Sequence, residues 1–233
     1  MKGVLFLIPT TLGEQNPLYV LPQQVVSIIK KTHYFIVENE KNARRFIKKT
    51  TPEKIQSDLH LYVLNKNTTP KEYASFLEPI EKGHSIGIIS DAGVPGIADP
   101  GAEIVSLAHQ KGIIVHPLVG PSSIILAIMA SGMNGQNFAF NGYLPIDKQE
   151  RKKSIKELES RAKRFNQTQV FMETPYRNNA MIEAILNHGF SSTLLTIACD
   201  ITLKSEFIKT QSINDWKKEK INFHKRPCVF CIY

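Results

Sequence analysis

Short continuous apolar runs alternate along this chain with stretches whose apolar residues recur at helical spacing. Runs at 4–8, 33–37, 59–64, 86–89 and 113–119 read as strands. Between them, 22–31 carries Val25, Val26, Ile28 and Ile29 on one helical face, and 41–49 fits a second helix. Residues 70–82 place Tyr73, Phe76, Leu77 and Ile80 near helical spacing, and 102–110 is amphipathic. This βα alternation predicts a mainly parallel sheet covered on both faces. The second half predicts a helix at 124–130, an apolar run at 138–143, a charged stretch at 147–164 and a strand at 169–172. A helix at 178–187, a strand at 194–199 and later strands at 207–208 and 227–233 follow. The fold class is α/β, with two α/β subdomains of mainly parallel or mixed sheets, 1–118 and 119–233, and no flexible linker.

Two loops carry the chemistry. Residues 90–101, Ser-Asp-Ala-Gly-Val-Pro-Gly-Ile-Ala-Asp-Pro-Gly, lie between a predicted strand and a predicted helix. Their glycines permit close backbone approach or positive φ. Asp91 ends the strand, where open α/β sheets bind ligands. Asp99 and Pro100 have the character of an N-cap and a first helical position. One βα unit later, Gly120-Pro121-Ser122-Ser123 precedes an apolar helix. With Pro121 as the first helical position, the amides near Ser122 and Ser123 point out of a helix start that favours carboxylates or phosphates. A rigid βα turn and plain helix capping account for the same patterns without a ligand.

In this order the motifs resemble the tetrapyrrole methylase family of S-adenosylmethionine-dependent methyltransferases. They are most similar to its branch that methylates a ribose 2′-oxygen of small-subunit ribosomal RNA. The resemblance runs through Leu7-Ile8-Pro9-Thr10-Thr11-Leu12-Gly13, the loops at 90–101 and 120–123, and Gly142-Tyr143-Leu144-Pro145. It continues through 171–177, Phe-Met-Glu-Thr-Pro-Tyr-Arg, then 198–202, Ala-Cys-Asp-Ile-Thr, with Glu206 after it, and the closing strand to Tyr233. It implies two α/β halves with the methyl donor in the cleft between them, and a homodimer. By that resemblance Leu12, Asp91, Gly93, Val94, Ser122, Ser123, Met172 and Ala198 align with donor-binding positions; from their residue types alone Met172 and Ala198 read as core, and the resemblance reverses that reading. The chain departs from the branch in three places. Thr10-Thr11-Leu12-Gly13-Glu14 stands for Thr-Pro-Ile-Gly-Asn, Glu38-Asn39-Glu40-Lys41 for Glu-Asp-Thr-Arg, and Cys199 for arginine. The sequence also ends at Tyr233, short of the small C-terminal domain of those enzymes. These departures leave the donor in place and open the question of the acceptor.

Composition narrows the acceptor. The net charge of +8 favours an anionic partner such as RNA. The basic residues cluster at 44–49 and in 148–164, which holds eight Lys/Arg and three Glu. Arg151, Lys152 and Lys153 are the candidate phosphate contacts, against the plainer reading of a solvated helix face. For a ribose hydroxyl acceptor a general base is useful. Glu173 is the first candidate, at the mouth of the cleft directly after Met172, and Glu38 the second; an ion pair is the alternative role for Glu173. Tyr176 and Arg177 are candidates for holding a phosphate. A small tetrapyrrole-like acceptor, or a non-catalytic RNA-binding member of the family, is the alternative function.

No metal is expected, because no His/Cys/carboxylate group has ligand spacing. Cys228 and Cys231 are three apart in an apolar strand, so they face opposite sides and read as packing residues. The short run after Met1-Lys2-Gly3 is ended by Pro9, and no stretch approaches the ~20 apolar residues of a membrane span. A reduced, cytoplasmic protein is the expectation.

Overall fold

The structure is a computed structural model that describes residues 3–65 and 67–233. Met1 and Lys2, read as leading into the first strand, lie outside the described residues. The chain forms two compact units, one up to Ser122 and one from Ser123 to Tyr233.

The first unit holds strands β1 (Leu5–Ile8), β2 (Tyr34–Val37), β3 (His60–Val63), β4 (Ile86–Ile89) and β5 (Val115–Pro117). They form one all-parallel sheet in the order β3-β2-β4-β1-β5. Its helices are α1 (Gln23–Lys31), α2 (Glu40–Thr50), α3 (Pro70–Phe76), α4 (Glu78–Glu81) and α5 (Gly101–Gln110). Strand alternation divides their packing between the two faces. Ile8, Phe35, Val37 and Ile89 pack with Val25 and Ile29 of α1 and with Ala43, Phe46 and Ile47 of α2. Leu5, Ile36, Ile86 and Ile88 pack with Phe76, Leu77 and Ile80 from the α3–α4 region and with Ile104 and Ala108 of α5. Both faces being buried, β4 is four consecutive buried residues rather than an alternating strand. The single helix expected over 70–82 is instead α3 and α4, which meet at Leu77. Pro79 has no N–H to continue the first helix, and it occupies the first turn of the second, where none is needed.

The second unit holds α6 (Ser123–Ser131), β6 (Phe138–Tyr143), α7 (Lys148–Phe165), β7 (Thr168–Glu173), α8 (Asn178–His188), β8 (Leu194–Cys199), β9 (Phe207–Ser212), α9 (Ile213–Trp216) and β10 (Cys228–Ile232). Its sheet runs β6-β7-β10-β8-β9, parallel only between β6 and β7. Phe171, Leu195, Ile197, Cys199, Cys228, Phe230 and Ile232 pack with Ile155 and Leu158 of α7 and with Met181 and Ile185 of α8. The intervening residues face the other side, where α6 packs against β8, β9 and β10. Cys228 and Cys231 are buried and free, and they fall on opposite faces as their spacing predicts. Burial pushes the Cys231 thiol up to about 12, which keeps it protonated.

Candidate active site

In the first unit the loops that leave the carboxyl ends of β1, β4 and β5 are drawn together. The Thr10 N–H donates to the Gly93 carbonyl at 2.8 Å. The Thr10 hydroxyl donates to the Ser90 carbonyl at 3.3 Å, and the Ser90 hydroxyl to the Gly93 carbonyl at 3.1 Å. Gly93 has φ +75°, and a Cβ there would lie 3.1 Å from Leu12 Cδ2 and 3.3 Å from the Pro121 carbonyl oxygen. A Cβ on Gly120 would fall 2.3 Å from Pro9. Glycine is therefore required at Gly120 by close packing and favoured at Gly93 by its positive φ. Leu12, Asp91 and Gly93, predicted from two stretches of sequence, share this edge, with Val94 next to Gly93.

Carboxylates cluster beside it. Glu38 follows β2 and accepts from the Asp91 N–H at 2.9 Å. Asn42, in the first turn of α2, donates to Asp91 Oδ2 at 2.9 Å. Asp99 Oδ1 accepts from the N–H groups of Gly96 and Gly101, each at 2.8 Å, while its Oδ2 is buried without a partner. The N-cap is Pro100 and the helix begins at Gly101, one residue later than expected, so Asp99 precedes the cap and accepts from the first helical N–H. Burial, and then the Asp99 and Asp91 carboxylates, raise the Glu38 pKa, against the Asp91 N–H, which lowers it.

The turn at 120–123 differs from expectation. Helix α6 starts at Ser123, so Pro121 precedes the helix instead of opening it.

In the second unit the pairing register aligns three apolar residues. Val229 of β10 is directly opposite Met172 of β7 on one side and Ala198 of β8 on the other. All three lie on the sheet face away from α7 and α8, the face on which α6 packs, and Ala198 and Val229 are buried there while Met172 is half-buried. Val229 was missed in the sequence. Its signal was the alternation with Cys228 and Phe230, which pack in the other core.

Glu173 does not take the expected position beside Met172. Successive strand residues face opposite sides, and the Glu173 side chain is fully buried. Its Oε1 accepts from the Thr174 N–H at 2.6 Å and from Arg177 Nε and Nη2 at 3.0 and 2.5 Å. The guanidinium expected to hold a phosphate is thereby committed to Glu173, while Tyr176 is exposed. On α7, Lys152 and Lys153 reach solvent, but Arg151 is only 8% exposed. Arg151 shares the helical stripe of the buried Ile155, Leu158 and Ala162, so it is not a phosphate contact of a solvated edge. Among the described residues no group of His, Cys, Asp or Glu is arranged to hold a metal.

No family model matches the chain. The ribosomal RNA small subunit methyltransferase I of Buchnera aphidicola subsp. Schizaphis graminum is 30% identical over 99% of this chain and 78% of that protein. This chain belongs to that family. The enzyme of the same name from Escherichia coli O157:H7 is 25% identical over 99% of the chain and 78% of its own length. Among solved structures, diphthine synthase matches with TM-score 0.69 at 11% identity, covering 98% of this chain and 88% of that one. The methyltransferase CobJ matches with TM-score 0.62 at 13% identity, over 99% and 94%. The fold is accordingly that of the tetrapyrrole methylases, and the protein is a methyltransferase of the ribosomal RNA branch. No helix among the described residues is long and apolar enough to cross a membrane.

Proposed function

We propose that this protein transfers the methyl group of S-adenosylmethionine to a ribose 2′-hydroxyl of small-subunit ribosomal RNA, acting as a cytoplasmic homodimer. The single observation that carries this reading is the convergence of Thr10, Gly93 and Gly120 at the carboxyl end of the first sheet. It leaves a glycine-lined edge bordered by the Asp91 carboxylate.

The residues fit the donor's chemistry. In the first unit, Asp91 accepts hydrogen bonds, and Leu12, Gly93, Val94 and Ser122 offer backbone and apolar contact. In the second unit, taken by itself, Ser123 opens helix α6 and the half-buried Met172 offers apolar contact, while Ala198 is buried. When bound, the sulfonium supplies an activated methyl group. The protein's part is to position the acceptor oxygen and remove its proton. Glu38 is the carboxyl group assigned to that proton, ahead of Glu173, whose side chain is buried against Arg177. Lys152 and Lys153, on α7, are assigned to phosphates of the acceptor.

Calorimetry tests the donor site. The native protein should bind S-adenosylmethionine, and Asp91→Ala should weaken it by about 1–3 kcal/mol, the cost of leaving polar partners unmatched. A native protein that binds no donor would remove the proposal. Unchanged affinity in the variant would remove only the role of Asp91.

A further inference from the structure

We propose that Arg45 and Lys49 form a binding site for a phosphodiester of the RNA acceptor, and that Glu14 occupies this site in the free protein. The inference rests on the RNA-directed reading above.

A cavity of about 180 Å³ in the first unit is bounded by the 10–17 loop, by α2 and by residues 89–92 at the end of β4. Asn42, Arg45 and Lys49 lie along one stripe of α2, three and then four residues apart, and all line this cavity. Ala43, Phe46 and Ile47 pack toward the sheet and fix the helix in place. Glu14 reaches across from the loop. One carboxylate oxygen is 3.3 Å from Arg45 Nη1, and the other is 3.3 Å from Lys49 Nζ.

A carboxylate bridging two cations presents two oxygens and one negative charge. A phosphodiester presents the same with its two non-bridging oxygens. The Glu14 contacts are longer than the ~2.7–2.9 Å of a tight charge-assisted bond. The Glu14, Arg45 and Lys49 side chains are 73, 57 and 43% exposed. An exposed pair of this kind shifts an equilibrium by only about fivefold or less, so a phosphate can replace it. The loop is held before Glu14 by the Thr10 N–H on the Gly93 carbonyl, and after it Asn16 caps the turn at Pro17–Tyr19. Displacing Glu14 therefore takes a side-chain rotation and leaves the backbone in place. Thr10 and Asp91 line the same cavity.

The test titrates a short single-stranded RNA, and separately inorganic tripolyphosphate, into four proteins: native, Glu14→Gln, Arg45→Ala/Lys49→Ala, and the triple variant. Glu14→Gln should tighten both probes by about 2- to 5-fold, since the cations no longer have to release a carboxylate. Arg45→Ala/Lys49→Ala should weaken both and flatten the salt dependence of RNA binding by about one counterion. In that background Glu14→Gln should change nothing. If Glu14→Gln leaves both probes unaffected, or tightens them equally without Arg45 and Lys49, the site is refuted. A response to tripolyphosphate with none to RNA overturns RNA as the occupant. Intact coupling without any methyl transfer counts against the enzymatic reading and leaves the site standing.

Discussion

The Glu38 carboxylate accepts a hydrogen bond from the backbone N–H of Asp91 at 2.9 Å, which ties the ends of the neighbouring strands β2 and β4. Burial, followed by the carboxylates of Asp99 and Asp91, raises Glu38 above the ordinary 4.5. The folded chain therefore holds this proton more tightly than the unfolded chain does. The resulting stability is fully present below pH 4.5 and is lost as pH rises through the folded value. Glu38→Gln keeps an acceptor for the Asp91 N–H and removes the titration. The melting temperature of the native protein should fall relative to Glu38→Gln as the pH is raised above the ordinary carboxylate range. Parallel melting curves across that range would show that Glu38 is not perturbed.

Gly120 packs on Pro9 so closely that a Cβ would sit at 2.3 Å. Gly120→Ala must push the β1 and β5 loops apart. It should lower stability by about 1–3 kcal/mol, as overpacked sites do, and weaken donor binding with it. Gly96→Ala is the control. Its φ is +79° but a Cβ there would meet open space, so only backbone strain of about 1–2 kcal/mol is expected. Chemical denaturation and calorimetry of both variants check this. Equal donor affinity in native and Gly120→Ala would mean that the converged loops do not shape the donor site.

Arg177 is the counterion of a fully buried carboxylate. Arg177→Ala strands the Glu173 charge and should cost about 3–5 kcal/mol in a denaturant melt. A native-like melt combined with lost methyl transfer would return the Glu173–Arg177 pair to the active site.

The first unit was largely legible in the sequence, because a parallel sheet buried on both faces writes its strands as uninterrupted apolar runs. Ile86–Ile89 was read to the residue. Strand β5 is shorter than its apolar run because Ile113 is still bonded to the Ala108 carbonyl at the end of α5. The second sheet was harder. The antiparallel placement of β10 between β7 and β8 depends on pairing between residues distant in the chain, which local pattern does not encode. Two of the proposed site residues are buried, in line with periodicities already present in the sequence. Strand alternation turns Glu173 away from Met172, and helical spacing groups Arg151 with Ile155 and Leu158. The Glu14 bridge to Arg45 and Lys49 joins a loop to a helix some 30 residues later, and only the folded chain shows it.

The central claim is methyl transfer to RNA, and the most direct measurement uses labelled S-adenosylmethionine. The purified protein is incubated with small-subunit RNA from cells lacking it, and any new modification is mapped. The account predicts label in one ribose 2′-O-methyl group of that RNA, with turnover in Glu38→Gln reduced by about 100-fold to 10,000-fold while donor binding is kept. Donor binding by the native protein, with no label entering the RNA, would contradict it.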